Sequence, residues 1–256
     1  MNHTTSTNTQ WGDRLPPWMI AAPLVVLAIM VALYVYGIPA LARAAADRFP
    51  SGVAVRIDND TLATLDRQVF SPSAIPQARQ QAIASAFRAL RKPAGSNSSY
   101  NLVFRKSDAI GANAMALPAS TIIVTDGLVE LARDDREILG VLAHEAGHID
   151  GRHTLRGLIQ NSLISVLLAL VAGDVSAIAA AASSSLLEAS YSRDLEREAD
   201  AYAIEILKTN RVPLKYFADM LRRLETAAGA AGSSSALRYL STHPATEERI
   251  RQLSGS

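Results

Sequence analysis

Two histidines and a glutamate in the middle of the chain have the residue types and the spacing of a hydrolytic metal site. His144 and His148 are four positions apart, and Glu145 directly follows the first of them. Residues four apart on an α-helix share a face, so both imidazoles can reach one ion. This pattern is typical of zinc sites in which the glutamate is a general base. The alternative is an ordinary helix with two surface histidines.

The sequence around this pattern predicts a buried helix, which favours the metal site. Apolar residues recur from Ile138 to Ile149, and Asp134 with Glu137 fits a reciprocal cap at the helix start. A buried histidine or glutamate is costly unless it is paired or bound to a metal. The histidines are therefore predicted to be ligands.

A second acidic pair supplies the rest of a zinc site. A catalytic zinc ion usually has three protein ligands, and this chain has no cysteine. Glu196 and Asp200 share a helical face, so Glu196 is predicted as the third ligand and Asp200 as the acceptor for a ligand's ring N–H. Glu198 is expected to point away and to be solvated. The alternative is a salt-bridge face with Arg193 and Arg197.

His243 has three possible roles. It can reach the metal as a fourth ligand in a resting state, it can donate to the oxyanion of the reaction, or it can simply begin a helix. Tyr191, Tyr239 and Arg249 are the other candidate oxyanion donors. His153, five positions after His148, is off the ligand face and is expected to make a structural hydrogen bond.

The N-terminal part of the chain is predicted to enter a membrane. Residues 15–42 contain no charged side chain, and a bilayer-spanning helix needs about 20 apolar residues. We predict a disordered tail at 1–17, a transmembrane anchor at 18–42 and one domain at 43–256. A cleaved signal peptide is the alternative, because residues 40–46 are rich in small side chains.

A second apolar stretch covers residues 157–187. The predicted metal ligands lie on both sides of it, so it cannot cross a bilayer an odd number of times. A buried or membrane-facing helical hairpin is predicted, and a two-span hairpin is the alternative. The net charge of +1, without a basic run, argues against a nucleic-acid partner.

The remaining pattern predicts a mixed domain. Strands are expected at 53–57, 102–104 and 121–125, and turns at 58–60 and 126–127. Helices are expected at 73–90, at 186–207 and from 244 onwards, and loops at 92–99 and 225–236.

These motifs resemble the M48 (Ste24/HtpX-like) family of zinc metallopeptidases over about residues 70–255. The resemblance rests on residues 125–128, 144–148, 152–153 and 191–193, on Glu196 and Asp200, and on one further run. That run resembles the substrate-facing edge of the family and consists of Asn113, Ala114, Met115, Ala116, Leu117 and Pro118.

The resemblance implies an α+β, mainly α, zincin-like (gluzincin) fold with a small β-sheet behind a transmembrane helix. It implies one zinc ion per chain on His144, His148 and Glu196, with Glu145 catalytic. It also implies a single-pass, membrane-anchored metalloendopeptidase with a periplasmic or otherwise extracytoplasmic domain, acting on unfolded or damaged membrane or envelope proteins. The alternatives are a tethered chaperone-like peptide-binding module with a structural zinc site, which a permanent His243 ligand would favour, and an aminopeptidase.

Overall fold

The computed structural model describes residues 17–94, 96, 98–172, 192–231, 237–244 and 247–254. The chain divides into two compact units, Met1–Leu41 and Ala42–Ser256. The predicted tail lies almost wholly outside the described residues, as do the second half of the 157–187 stretch and Tyr191.

The N-terminal helical stretch has the properties of a membrane span. Helix α1 covers Pro17–Ala32, a π-helical turn follows at Leu33–Gly37, and helix α2 covers Ile38–Asp47. Within it, an 18-residue stretch of the segment Ala21–Asp47 has a mean hydropathy of 2.4, and the segment is long and apolar enough to cross a membrane. The side chains of residues 21–36 are exposed. A row of exposed apolar side chains suits contact with lipid rather than water.

The second unit contains a four-stranded sheet. Its strands are β1 (Ser71–Pro72), β2 (Asn101–Lys106), β3 (Ala114–Ala116) and β4 (Thr121–Thr125), in the order β1-β2-β4-β3. Strand β2 runs parallel to β4, and β3 runs antiparallel to β4. The strands predicted at 102–104 and 121–125 are confirmed. Strand β3 forms an outer edge of this sheet.

The strand predicted at 53–57 and the turn at 58–60 are wrong, because helix α3 covers Ser51–Gln68. Alternating Val53, Val55 and Ile57 suggested a strand, but the buried positions Ala54, Asp58 and Leu65 recur with the helical period. The Asp58 carboxylate accepts three consecutive backbone N–H groups, those of residues 119–121, at 2.8, 3.1 and 3.0 Å. A polar residue that looked like a turn signal therefore holds the start of β4.

The other helices are α4 (Gln77–Arg88), α5 (Asp126–Leu131), α6 (Asp135–Asp150), α7 (His153–Ala172), α8 (Arg193–Thr209), α9 (Lys215–Ala231), α10 (Leu237–Thr242) and α11 (Glu247–Ser254). The turn predicted at 126–127 is wrong, because the Thr125 side chain accepts the Leu128 N–H and caps α5. The loop predicted at 225–236 is wrong over 225–231, where alanine-rich sequence continues α9. The mainly helical fold with a small sheet is confirmed.

Helix α6 is the centre of the second unit. It packs against α8 and α9 and also contacts α4, β3 and β4. Every residue from Glu137 to Ile149 is buried. At Gly147 a β-carbon would lie 2.8 Å from the Cα and the carbonyl oxygen of Ala199, so glycine allows α8 to approach α6 closely. That approach brings the acidic residues of α8 to the histidines of α6.

Candidate metal centre

Four side chains converge between α6, α8 and the C-terminal end of α10. His144, His148, Glu196 and His243 each offer a donor atom, and these atoms all lie within 4.8 Å of one another. All four residues are buried. The geometry brings together the three ligands predicted from the sequence and adds His243 to them.

The distances between the donor atoms suit a metal ion. His148 Nε2 lies 3.0 Å from His144 Nε2 and 3.3 Å from Glu196 Oε1, and His144 Nε2 lies 3.5 Å from Glu196 Oε2. A tetrahedral zinc site with bonds of about 2.0–2.1 Å has donor–donor separations of about 3.3 Å. His243 Nδ1, at 2.9 Å from Glu196 Oε1 and 3.3 Å from His144 Nε2, has the same spacing.

A buried carboxylate supports His144. Asp200 Oδ1 lies 2.9 Å from His144 Nδ1, in the position predicted for an acceptor that fixes the ring tautomer. Burial lowers the pKa of His144, but its contacts with Asp200 and Glu196 outweigh burial and raise this pKa to about 9. In the absence of a metal this imidazole is therefore held as a cation by its carboxylate neighbours.

Arg249 holds both carboxylates in place, a role that the sequence did not reveal. Its Nε and Nη2 donate to Asp200 at 2.6 and 2.8 Å, and its Nη1 lies 2.8 Å from Glu196 Oε2. Burial acts against the charge, yet the neighbouring carboxylates keep the pKa of Arg249 above its usual value. Because the guanidinium is committed to these carboxylates, its predicted role as oxyanion donor is not favoured.

The prediction that Glu198 is solvated is wrong in part. Its carboxylate is 40% exposed, but Oε2 accepts from His153 Nε2 and from Arg156 Nη1, each at 3.0 Å. His153 thus makes a structural hydrogen bond, as expected, and burial lowers its pKa to about 4. The alternative of a salt-bridge face with Glu196 is not favoured for Arg197, which pairs with Asp194 at 2.9 Å.

The Glu145 carboxylate lies beside the cluster without a firm partner. It is fully buried, and within the described residues neither of its oxygens accepts a well-formed hydrogen bond, although the Ala116 backbone N–H lies close enough to interact with the carboxylate. Its Oε1 lies 3.6 Å from His243 Nε2. The pKa of Glu145 is raised, because burial outweighs the charges of His243 and His144 and the nearby Ala116 backbone N–H, which act to lower it. An unpartnered carboxylate next to a metal site has the position of a general base.

Tyr239 is a further buried polar group near Glu145. The residue is fully buried, its ring stacks on His243 with centroids 4.8 Å apart, and its hydroxyl has no hydrogen-bond partner within the described residues. The negative charge of Glu145 contributes to a raised pKa of Tyr239, after burial itself. The hydroxyl is therefore a proton donor held near the carboxylate.

Strand β3 runs beside α6 and is the outermost strand at its end of the sheet. Leu117 N donates to Thr121 O and Thr125 N donates to Asn113 O, at 2.8 and 3.0 Å. Antiparallel pairing alternates, so the backbone groups of Ala114 and Ala116 face away from β4. The Thr154 hydroxyl donates to the Ala116 carbonyl at 2.9 Å. The run 113–118 therefore contains an edge strand next to Glu145.

Comparison with known proteins agrees with this geometry. The model of Peptidase family M48 matches residues 77–256. The chain is 30% identical over 142 residues to mitochondrial metalloendopeptidase OMA1 of Arabidopsis thaliana, covering 55% of this chain and 28% of that protein. It is 29% identical over 149 residues to metalloprotease YcaL of Escherichia coli (strain K12), covering 55% and 56% respectively.

A third relative is the protease HtpX homolog of Salinibacter ruber (strain DSM 13855 / M31), 30% identical over 167 residues, with 52% of this chain and 59% of that protein covered. The chain thus spans 28% of the Arabidopsis protein and little more than half of the two bacterial ones. The match to the family model includes α6, α8 and α10, which carry the four donors. This chain belongs to peptidase family M48.

Proposed function

We propose that the chain is a zinc-dependent metalloendopeptidase, anchored in a membrane by its N-terminal helix. The observation that carries this proposal is the convergence of His144, His148 and Glu196 beside the unpartnered carboxylate of Glu145. The family membership and the names of the relatives, which include metalloendopeptidases and a metalloprotease, support it.

The mechanism follows from the positions of these groups. His144, His148 and Glu196 would hold a zinc ion, which would supply Lewis-acid polarisation of the scissile carbonyl and make water more acidic. Glu145 accepts the proton of the attacking water and passes it to the leaving amine, a task helped by a pKa that burial raises. The Tyr239 hydroxyl, buried and without a partner in the described residues, donates to the developing oxyanion.

His243 is proposed as a fourth ligand in a resting state. Its Nδ1 has the same spacing from Glu196 and His144 as the other donors have from each other. A catalytic zinc site keeps one position open for water. His243 must therefore turn away before the reaction starts, and the donor role is better met by Tyr239.

The substrates are proposed to be polypeptides that bind β3 as an additional strand. The backbone groups of Ala114 face away from β4, and the Ala116 carbonyl can accept from a peptide once the Thr154 hydroxyl turns away. Such backbone hydrogen bonds give affinity with little sequence preference. Only unfolded segments can adopt this form beside a strand. This supports unfolded polypeptides as substrates. We propose that they are unfolded or damaged membrane or envelope proteins, with the peptidase unit on the extracytoplasmic side of a single-pass anchor.

The proposal is tested by replacing Glu145 with Gln in the full chain, purified in detergent and loaded with zinc. The variant is expected to keep its zinc and to lose casein cleavage by about 100-fold or more, the effect of removing a general base. A chelator should abolish cleavage by the unmodified chain. Glu205→Gln, an exposed glutamate on α8, is the matched control and should cleave normally. Metal-independent cleavage, or no cleavage by zinc-loaded protein, would contradict the proposal.

The second candidate is a tethered chaperone-like peptide-binding module with a structural zinc site. The four-donor cluster favours it, because structural zinc sites have four protein ligands. His243→Ala separates the two functions. A structural site should lose most of its zinc and some of its fold, whereas the enzyme should retain zinc on the three remaining ligands. Suppression of aggregation of an unfolded protein, unchanged in Glu145→Gln, would support the chaperone.

A further inference from the structure

The corner between α6 and α7 turns the chain back beneath a metal ligand. Arg152 has φ = 53°, in the left-handed region that side-chain-bearing residues rarely adopt. A β-carbon at Gly151 would lie 2.2 Å from His153 Nε2. This corner places the His153 ring under His148, with the two ring centroids 4.9 Å apart. The glycine at position 151 therefore leaves room for the His153 ring.

The hydrogen bonds define the direction of the contact. His148 Nε2 faces the other metal donors, so its Nδ1 carries the proton. That Nδ1 lies 3.0 Å from His153 Nδ1, which must then accept. His153 consequently carries its own proton on Nε2 and donates it to Glu198 Oε2 at 3.0 Å. The result is a continuous chain from ligand to imidazole to carboxylate.

Glu198 is itself fixed from two sides. Arg156 of α7 donates to its Oε2 at 3.0 Å, and Arg43 of α2 donates to its Oε1 at 2.5 Å. Arg152 adds a second tie to α2 by donating to the Ala46 carbonyl at 2.7 Å. Two cations thus hold the carboxylate in the position at which it meets His153.

We propose that His153 and Glu198 are positioning residues for the metal ligand His148, with Arg43 and Arg156 fixing the carboxylate. A partner for the second ring nitrogen of a metal-binding histidine fixes its tautomer and orientation and increases its affinity for the metal. The usual partner is a carboxylate or a carbonyl, and here an imidazole stands between ligand and carboxylate. The inference rests on the zinc binding in the proposed function, not on peptidase activity.

The test measures zinc affinity by competition with a chelating dye, using the full chain in detergent micelles. His153→Leu removes acceptor and donor together and should weaken zinc binding by about 10- to 100-fold. Glu198→Gln keeps the shape of the side chain and should weaken it by a smaller factor. His153→Gln retains an amide that can accept and donate, and it should recover part of the affinity.

The controls separate positioning from folding. Asp194→Asn changes a neighbouring carboxylate of α8 that is 85% exposed, and it should leave zinc affinity unchanged. Unfolding of each metal-free variant shows whether the fold is intact. Zinc affinity within twofold of the unmodified chain in both His153→Leu and Glu198→Gln would overturn the inference and leave the proposed function standing. An unmodified chain that binds no zinc would overturn both.

Discussion

The two histidines of α6 that are proposed as ligands lie one turn apart on one helix face, yet the side chains that support them differ. His144 contacts Asp200 directly, and Arg249 donates two hydrogen bonds to the same carboxylate. All three side chains are at most 6% exposed. His148 contacts the imidazole of His153, and the carboxylate of Glu198, which contacts His153, is 40% exposed. One helical spacing therefore supplies both ligands, while their second contacts come from different depths of the protein.

This difference separates a rigid support from an adjustable one. Charges buried together are screened little by salt and are costly to separate, whereas an exposed carboxylate responds to salt and to its surface neighbours. The support of His144, formed by Asp200 and Arg249, is called the inner support below. The support of His148, formed by His153 and Glu198, is called the outer support.

The largest effect should come from breaking the inner support. Arg249→Met leaves the carboxylates of Asp200 and Glu196 buried without their cation, which is expected to cost about 3–5 kcal/mol of unfolding free energy. Metal affinity should fall as well, because two carboxylates lose their orientation. Urea unfolding and zinc titration measure the two effects.

Arg223→Met is the matched control for this prediction. Arg223 donates to the buried carboxylate of Glu137 at 2.6 Å, near the start of α6 and away from the metal donors. It should lower stability without changing zinc affinity. A similar loss of zinc affinity in both variants would show that the inner support has no special relation to the site.

Acid should affect the start of α6 by a smaller amount. Burial raises the pKa of Glu137, but Arg223 and the Arg133 N–H outweigh it and hold this pKa below its usual value. A lowered pKa means that the stabilisation is present above the unfolded value of about 4.5 and is lost as pH falls through the folded value.

The unfolding free energy of the Glu137→Gln variant should therefore fall by about 1 kcal/mol less than that of the unmodified chain when the pH is lowered from 6 to 3.5. Unfolding of chelator-treated protein at several pH values tests this. Identical pH dependence in the variant would assign the acid sensitivity to other carboxylates, including those of the two supports.

Salt should change the zinc-affinity loss of a variant in the outer support by a few-fold and leave that of a variant in the inner support unchanged. The loss of zinc affinity caused by Glu198→Gln should become smaller between 0.05 and 1 M NaCl. Glu198 forms exposed ion pairs with Arg43 and Arg156, and the Debye screening length falls to about 3 Å in 1 M salt, which weakens such pairs. The loss caused by Arg249→Met should stay constant. Zinc titrations at the two salt concentrations test this, and equal salt dependence would show that the supports do not differ in depth.

The smallest effect, on substrate binding, is expected at Thr154. This residue follows His153 on α7, and its hydroxyl contacts the Ala116 carbonyl of β3. Thr154→Val removes the hydroxyl that occupies the Ala116 carbonyl and should lower the KM for an unfolded substrate by about two- to threefold, the effect of one hydrogen bond. Zinc affinity should not change. Thr154→Ser keeps the hydroxyl and is the control. A change in zinc affinity would mean that the edge and the outer support are coupled.

Local spacing explains what the sequence could reveal. His144, His148, Glu196 and Asp200 were predictable because positions four apart share a helix face and because zinc chemistry limits the ligand types. The strand β4 was predictable from its run of β-branched residues. These signals need only neighbours along the chain.

The contacts that were missed depend on distant parts of the chain. Arg249 was a candidate oxyanion donor, but it lies 49 positions from Asp200, so local spacing could not reveal its contact with that carboxylate. Glu198 looked solvated because its partners His153, Arg156 and Arg43 come from other helices. In the segment that forms α3, the alternating valines favoured a strand in the sequence, although the residues that are buried in the structure recur with the helical period.

Gly147 shows how far such a site extends beyond its metal-binding residues. It occupies one of the unspecified positions of the histidine–glutamate motif, and a methyl group there would meet the backbone of Ala199 at 2.8 Å. A change to alanine would preserve every ligand and the motif itself while pushing apart the two helices that carry them. A genetic variant at this position would pass a motif search as intact, although we expect the protein it encodes to bind the proposed zinc ion more weakly.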